Sequence, residues 1–168
     1  MDLTPYLPWL KLAHIAAVVL FAAGHGVSMV VVFRVRHETE PSRMLALLDV
    51  SAWSLGLAGI GMLAVLVTGI VDGVVRGSFG QAWIWLSLVL FVVVGGLMTP
   101  IAGAYASGLR EALGQRTRRL KQADPDPVPL APEAIAALAT RSRAPEQTAL
   151  VGIGGLVILL WLMTFKPF

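Results

Sequence analysis

Four long runs of apolar residues divide the chain, at 9–33, 54–71, 82–105 and 148–165, with polar or mixed stretches between them. Each run has the length, about 17–25 residues, that a helix needs to cross the hydrocarbon core of a bilayer. Lipid offers no hydrogen-bond partner, so a single span satisfies its own backbone only as a helix. The pattern predicts one all-α domain over 1–168, an integral membrane four-helix bundle running up-down-up-down.

The stretches between the runs refine this reading. Pro41 stands where a proline opens a helix, and 44–53, which carries Asp49, reads as an interfacial lead-in to the second span. Asp72 and Arg76 are spaced to pair on a last helical turn. Gly77, Ser78 and Gly80 then mark a short turn. Pro100 withholds a backbone donor inside the third span and predicts a kink. That helix is expected to leave the membrane and continue through Arg110, Arg116, Arg118, Arg119 and Lys121. A proline-punctuated linker over 123–129 and a short helix over 132–142 precede the last span.

Composition supports the membrane assignment. Charged residues make up only 14% of the chain and hydrophobic ones 57%, whereas a soluble domain carries roughly a quarter charged residues. Mean hydropathy is +0.77. The basic pI, about 9.8, does not argue for nucleic acid, because the Lys and Arg residues cluster beside apolar spans. The stretches 34–53 and 106–147 hold ten of the thirteen, and Lys11, Arg76 and Lys166 are the other three. That bias places both stretches in the cytoplasm and both termini outside, in a bacterial inner membrane. Trp9, Trp83, Trp85 and Tyr6 then fall at the outer interface. The basic run after the third span also suits contact with anionic lipid. The chain has no cysteine, which excludes disulfides, thiolate metal sites, iron–sulfur clusters and covalent haem attachment.

Candidate chemistry concentrates on the first span. His14 and His25 are eleven residues apart, close to three helical turns, so both point one way with ~16 Å between them along the axis. Eleven residues further lies Arg36 on the same stripe. Such a semi-polar face is expected to turn into the bundle. His37 falls in the charged stretch and reads as solvated. His25 lies between Gly24 and Gly26, and the other spans place glycines at similar depth, among them Gly96 and Gly155. Small residues let helices touch, so leucine at either of these two positions is expected to force the bundle apart. They also admit a flat ligand. A b-type haem needs an axial imidazole, an apolar slot and cations for its propionates, which His25 or His14, the glycines, and Arg36 or Arg110 would supply. Met29, Met62 or Met98 would serve as a second axial ligand, or all three are packing residues.

The run Trp9-Leu-Lys-Leu-Ala-His14-Ile, with Gly24 ten residues after the histidine, resembles the start of small four-helix bacterial membrane proteins. These include the membrane-type haem-binding protoporphyrinogen oxidase, the copper-resistance D domain and an uncharacterised family of predicted integral membrane proteins. The closing Leu162-Met-Thr-Phe-Lys166-Pro167 resembles the end of the last family. In the oxidase, the resemblance implies that a histidine matching His14 belongs to the haem site. An arginine and a histidine of that pattern have no clean counterpart here, since Arg34 and His37 are displaced.

Three functions follow as alternatives: a haem b subunit that handles electrons, an accessory subunit packed against other membrane subunits or a second copy, and a transport or metal-handling protein. The charge bias makes the topology testable. A reporter fused at Ala123 is expected to read cytoplasmic and one fused after Phe168 to read outside. Two cytoplasmic termini would mean that the orientation or the number of spans is wrong.

Overall fold

The computed structural model describes residues 4–168. A 3-10 turn over Thr4–Tyr6 leads into α1 (Leu7–Val35), followed by α2 (Pro41–Val75). A second 3-10 turn, Ser78–Gly80, precedes α3 (Ala82–Ala112), and α4 (Pro132–Arg141) and α5 (Ala144–Phe165) complete the chain. Among the described residues there is no strand. Four helical stretches are long and apolar enough to cross a membrane. Prolines at the openings of α2, α4 and α5 occupy positions where a backbone donor has no helical partner to lose.

The bundle is built from two close antiparallel pairs, α1 with α2 and α3 with α5. Glycines set the closeness of the first pair from both sides. A Cβ on Gly24 would stand 2.6 Å from the Ser54 carbonyl oxygen and 2.7 Å from the Ala58 nitrogen. A Cβ on Gly61 would stand 2.6 Å from the Phe21 nitrogen. Each helix thus presents a bare backbone where the other approaches, and dispersion holds apolar helices together at such short separation. A hydrogen bond of 2.8 Å between the hydroxyls of Ser28 and Ser51 adds to the seam. The second pair closes on Gly155, whose Cβ would meet the Val94 side chain at 2.5 Å.

Several sequence expectations change here. The stretch 44–53 belongs to the same unbroken helix as the second span, since α2 runs from Pro41 to Val75. Met44 and Leu48 are among the most buried side chains, packed with Val35, Tyr105, Leu109 and Ile135. The densest core therefore lies at the basic end of the bundle, where α4 lays its apolar face, Ile135 and Ala139, over the helix ends. Helix α3 also stops at Ala112, short of the expected extension through Lys121. Gly114 takes the left-handed conformation, φ 81°, in which glycine ends a helix at no steric cost. Arg116 then pins the following turn through Asp126 at 2.7 Å and the Asp124 carbonyl at 3.1 Å. The short helix after the prolines forms as expected, and Asp72 accepts from Arg76 at 2.8 and 2.9 Å.

The glycine expectation divides. Gly155 is buried against Val94, but Gly96 is exposed and a Cβ there would meet nothing within 4 Å. It lies on the outer side of α3, and its carbonyl is the one that Pro100 leaves without a helical donor. Gly155→Leu or Gly61→Leu should destabilise the folded protein by about 1–3 kcal/mol, the usual cost of overpacking. Gly96→Leu should leave stability close to wild type. Thermal unfolding in detergent checks this, and equal losses at Gly96 and Gly155 would contradict the placement of α3.

Candidate functional site

The inward face of α1 carries the polar groups. His25 is 6% exposed, and the Phe21 ring one turn earlier stacks parallel to the imidazole, 6.0 Å between centroids and 4° between planes. Gly24 seats this turn of α1 against α2, which directs His25 toward α5. There Gly152 leaves the room: a Cβ on it would collide with His25 Nε2 and stand 3.0 Å from the Met98 methyl carbon. Nε2 itself is buried and has no hydrogen-bond partner.

A cavity of about 410 Å³ lies between the two helix pairs beside His25, within the ~300–1,000 Å³ of small-molecule sites. Its lining is almost entirely apolar and holds no charged residue. The lining hydroxyls are satisfied. Ser28 bonds Ser51, Thr99 donates to the Gly95 carbonyl at 2.8 Å, Thr148 to that of Ala144 at 2.7 Å, and Tyr105 to that of Ala139 at 3.2 Å. His25 Nε2 is thus the polar atom of this lining left without a partner. Met29, Met62, Met98 and Met163 border the same space.

His14 also faces inward, but into a second cavity of about 530 Å³ nearer the end of the bundle away from α4. Its Nδ1 lies 2.9 Å from the Thr68 hydroxyl, which itself donates to the Ala64 carbonyl at 2.6 Å. Lys11, Asp72, Arg76 and Lys166 line this cavity too. Five residues, Val18, Val65, Phe91, Leu160 and Met163, are common to both linings.

Arg36 lines neither cavity. It spans from the end of α1 to the start of α5, donating to the Ser142 carbonyl and to both carboxylate oxygens of Glu146, one of them at 2.9 Å. Arg110 is likewise held, by Asp49 at 2.6 Å and Gln115 at 2.8 Å. The stripe His14, His25, Arg36 is therefore inward-facing as expected, yet its members serve three separate places. His37 is exposed. Gly152 completes the His25 surroundings. Gly152 belongs to the glycine run of the last span, but which of three glycines faces an imidazole depends on the rotation of α5.

These residues do not fit a haem as the helices stand. Axial ligation sets the iron about 2.0–2.1 Å from the nitrogen, as for other imidazole-bound metals, with a macrocycle lying across that bond. The Gly152 backbone already closes on the Nε2 edge of the ring, and the cations expected at the propionates are committed elsewhere. Among the described residues, no three His, Asp or Glu side chains gather into a metal-binding group.

The model of the predicted integral membrane protein family DUF2269 matches residues 8–167. The chain belongs to that family. No curated protein matches it, and no solved structure does. What is established is thus an integral membrane protein with four span-capable helices.

Proposed function

We propose that this family member is a multi-pass protein of the bacterial cytoplasmic membrane that binds a ligand or cofactor inside the bilayer, with His25 as its polar contact. The observation that carries the reading is the unpartnered Nε2 of a buried imidazole at the edge of an apolar cavity. A buried polar nitrogen without a partner costs about 1–3 kcal/mol, and ionisable side chains within spans are functional by default. His14 does not carry the same weight, because Thr68 already engages it. Arg36 supports the site at a distance by holding the start of α5, the helix that brings Gly152 to the imidazole.

An electron-transfer role through haem b at His25 requires α5 to part from α1 at Gly152. The geometry favours a slimmer ligand. The accessory-subunit reading keeps one observation of its own. Gly56 and Gly96 are exposed with open space around them and line neither cavity, where a helix of another membrane subunit or a second copy would pack closely.

The protein extracted from its native membrane in mild detergent should retain about one bound species per chain, detected by absorption spectroscopy, mass spectrometry and metal analysis. His25→Ala should lose that species, while His37→Ala should keep it. A Soret band lost with His25 would assign the species as haem and show that α5 moves. Well-folded protein that carries nothing, before or after the substitution, would overturn the binding reading in favour of the accessory one.

A further inference from the structure

We infer that the second cavity, the one lined by His14, holds the anionic headgroup of a lipid whose acyl chain lies between the two helix pairs. This site is separate from His25 and does not rest on a ligand there.

The charges of this cavity come together from distant parts of the chain. Ten of the thirteen Lys and Arg residues lie in 34–53 and 106–147. The other three, Lys11 of α1, Arg76 at the end of α2 and Lys166 at the end of α5, all line this one cavity. Among the described residues Asp72 is the one acidic side chain of the lining, and it accepts from Arg76 Nε at 2.8 and 2.9 Å. Three cations thus face one carboxylate, and Lys11 and Lys166 have no acidic partner in the lining. Lys166 caps α5 in the left-handed conformation, φ 44°, which a residue with a Cβ adopts at a cost. From there its ammonium lies over the Trp83 ring of α3, 5.1 Å from the centre. At the other end of the bundle the pattern is the opposite, since Arg36 and Arg110 are each paired with a carboxylate.

The rest of the lining selects the kind of anion. Seven residues, ~10 Å along α1, separate Lys11 from Val18. At the depth of Val18 the wall is apolar, and Val65, Phe91 and Leu160 join Val18 in lining the first cavity as well. The space therefore passes from a cationic mouth to an apolar floor that continues toward the middle of the bundle. A soluble anion would use the mouth alone. An anionic lipid matches both parts, with charge-assisted hydrogen bonds from the ammonium and guanidinium groups to its headgroup and apolar contact along its chain. Snorkelling draws long cationic side chains to the membrane surface and accounts for their depth. It does not account for cations from three helices lining one cavity between the helix pairs.

The test uses the full chain, purified in a nonionic detergent and stripped of lipid, with thermal unfolding followed as each probe is added. Phosphatidylglycerol should raise the unfolding temperature saturably, and native mass spectrometry should count one retained molecule per chain. Phosphatidylcholine and inorganic phosphate should do neither. Lys11 and Lys166 are exposed, so Lys11→Gln and Lys166→Gln should preserve the fold. Each should weaken phosphatidylglycerol binding about fivefold, the contribution of one Lys or Arg near an anionic headgroup, and the double substitution should weaken it further. Arg118→Gln removes the same charge from an exposed position at the opposite end and should bind as wild type. An equal response to phosphatidylcholine would mean ordinary bilayer lipid around the helices, and an equal response to inorganic phosphate would mean a soluble-anion site. Either result overturns the inference, as does phosphatidylglycerol binding that is absent or that survives both lysine substitutions unchanged.

Discussion

The hydrocarbon interior gives no hydrogen bonds, and that scarcity organises this molecule. Backbone groups meet it by forming helices. Inward side chains meet it one by one: serine with serine across α1 and α2, threonines with the carbonyl one turn back, His14 with Thr68. Among the described residues two buried side-chain nitrogens have no partner, Arg36 Nε at the basic end and His25 Nε2 within the spans. Bundle interhelical hydrogen bonds contribute only ~0.6 kcal/mol on average, so they do not set the architecture. They do mark His25 Nε2 as a span nitrogen without a protein partner.

Glycine contacts set the architecture. Gly24 and Gly61 draw α1 and α2 together backbone to backbone, and Gly155 lets α5 lie against Val94 of α3. Two tight pairs do not also make four equally tight seams. The space left between them becomes the two cavities, and Gly152 is the point where α5 leans across to the histidine. The basic end is closed by other means. The Arg36 link to Glu146 and the Arg110 link to Asp49 tie helix ends in a more polar zone, and the apolar face of α4 covers Met44 and Leu48. The site thus sits between a firm lid at one end and a second, more polar cavity at the other.

Span number, helix class and family were legible in the sequence because apolar run length and the need for a self-satisfied backbone leave few choices. The inward stripe of α1 was legible too, since helical period fixes which residues share a face. Helix rotation was not. Gly96 and Gly155 look alike along the chain, yet one faces outward and the other a valine, because neighbour packing settles which side of α3 and α5 turns in. Arg36 was read as a cofactor cation, but its acidic partner Glu146 lies 110 residues away and only the folded bundle brings them together. The end of α3 was missed because an arginine-rich stretch has good helix propensity, while a single left-handed glycine overrides it.

The central claim is that His25 Nε2 is kept free for a ligand within the bundle. A density map of the protein taken directly from its native membrane, in lipid nanodiscs and without added ligand, tests this at the atom concerned. The account predicts non-protein density in contact with Nε2, bordered by Gly152 and Met98. A map in which Nε2 instead bonds a protein group, with side chains filling the cavity, would contradict it.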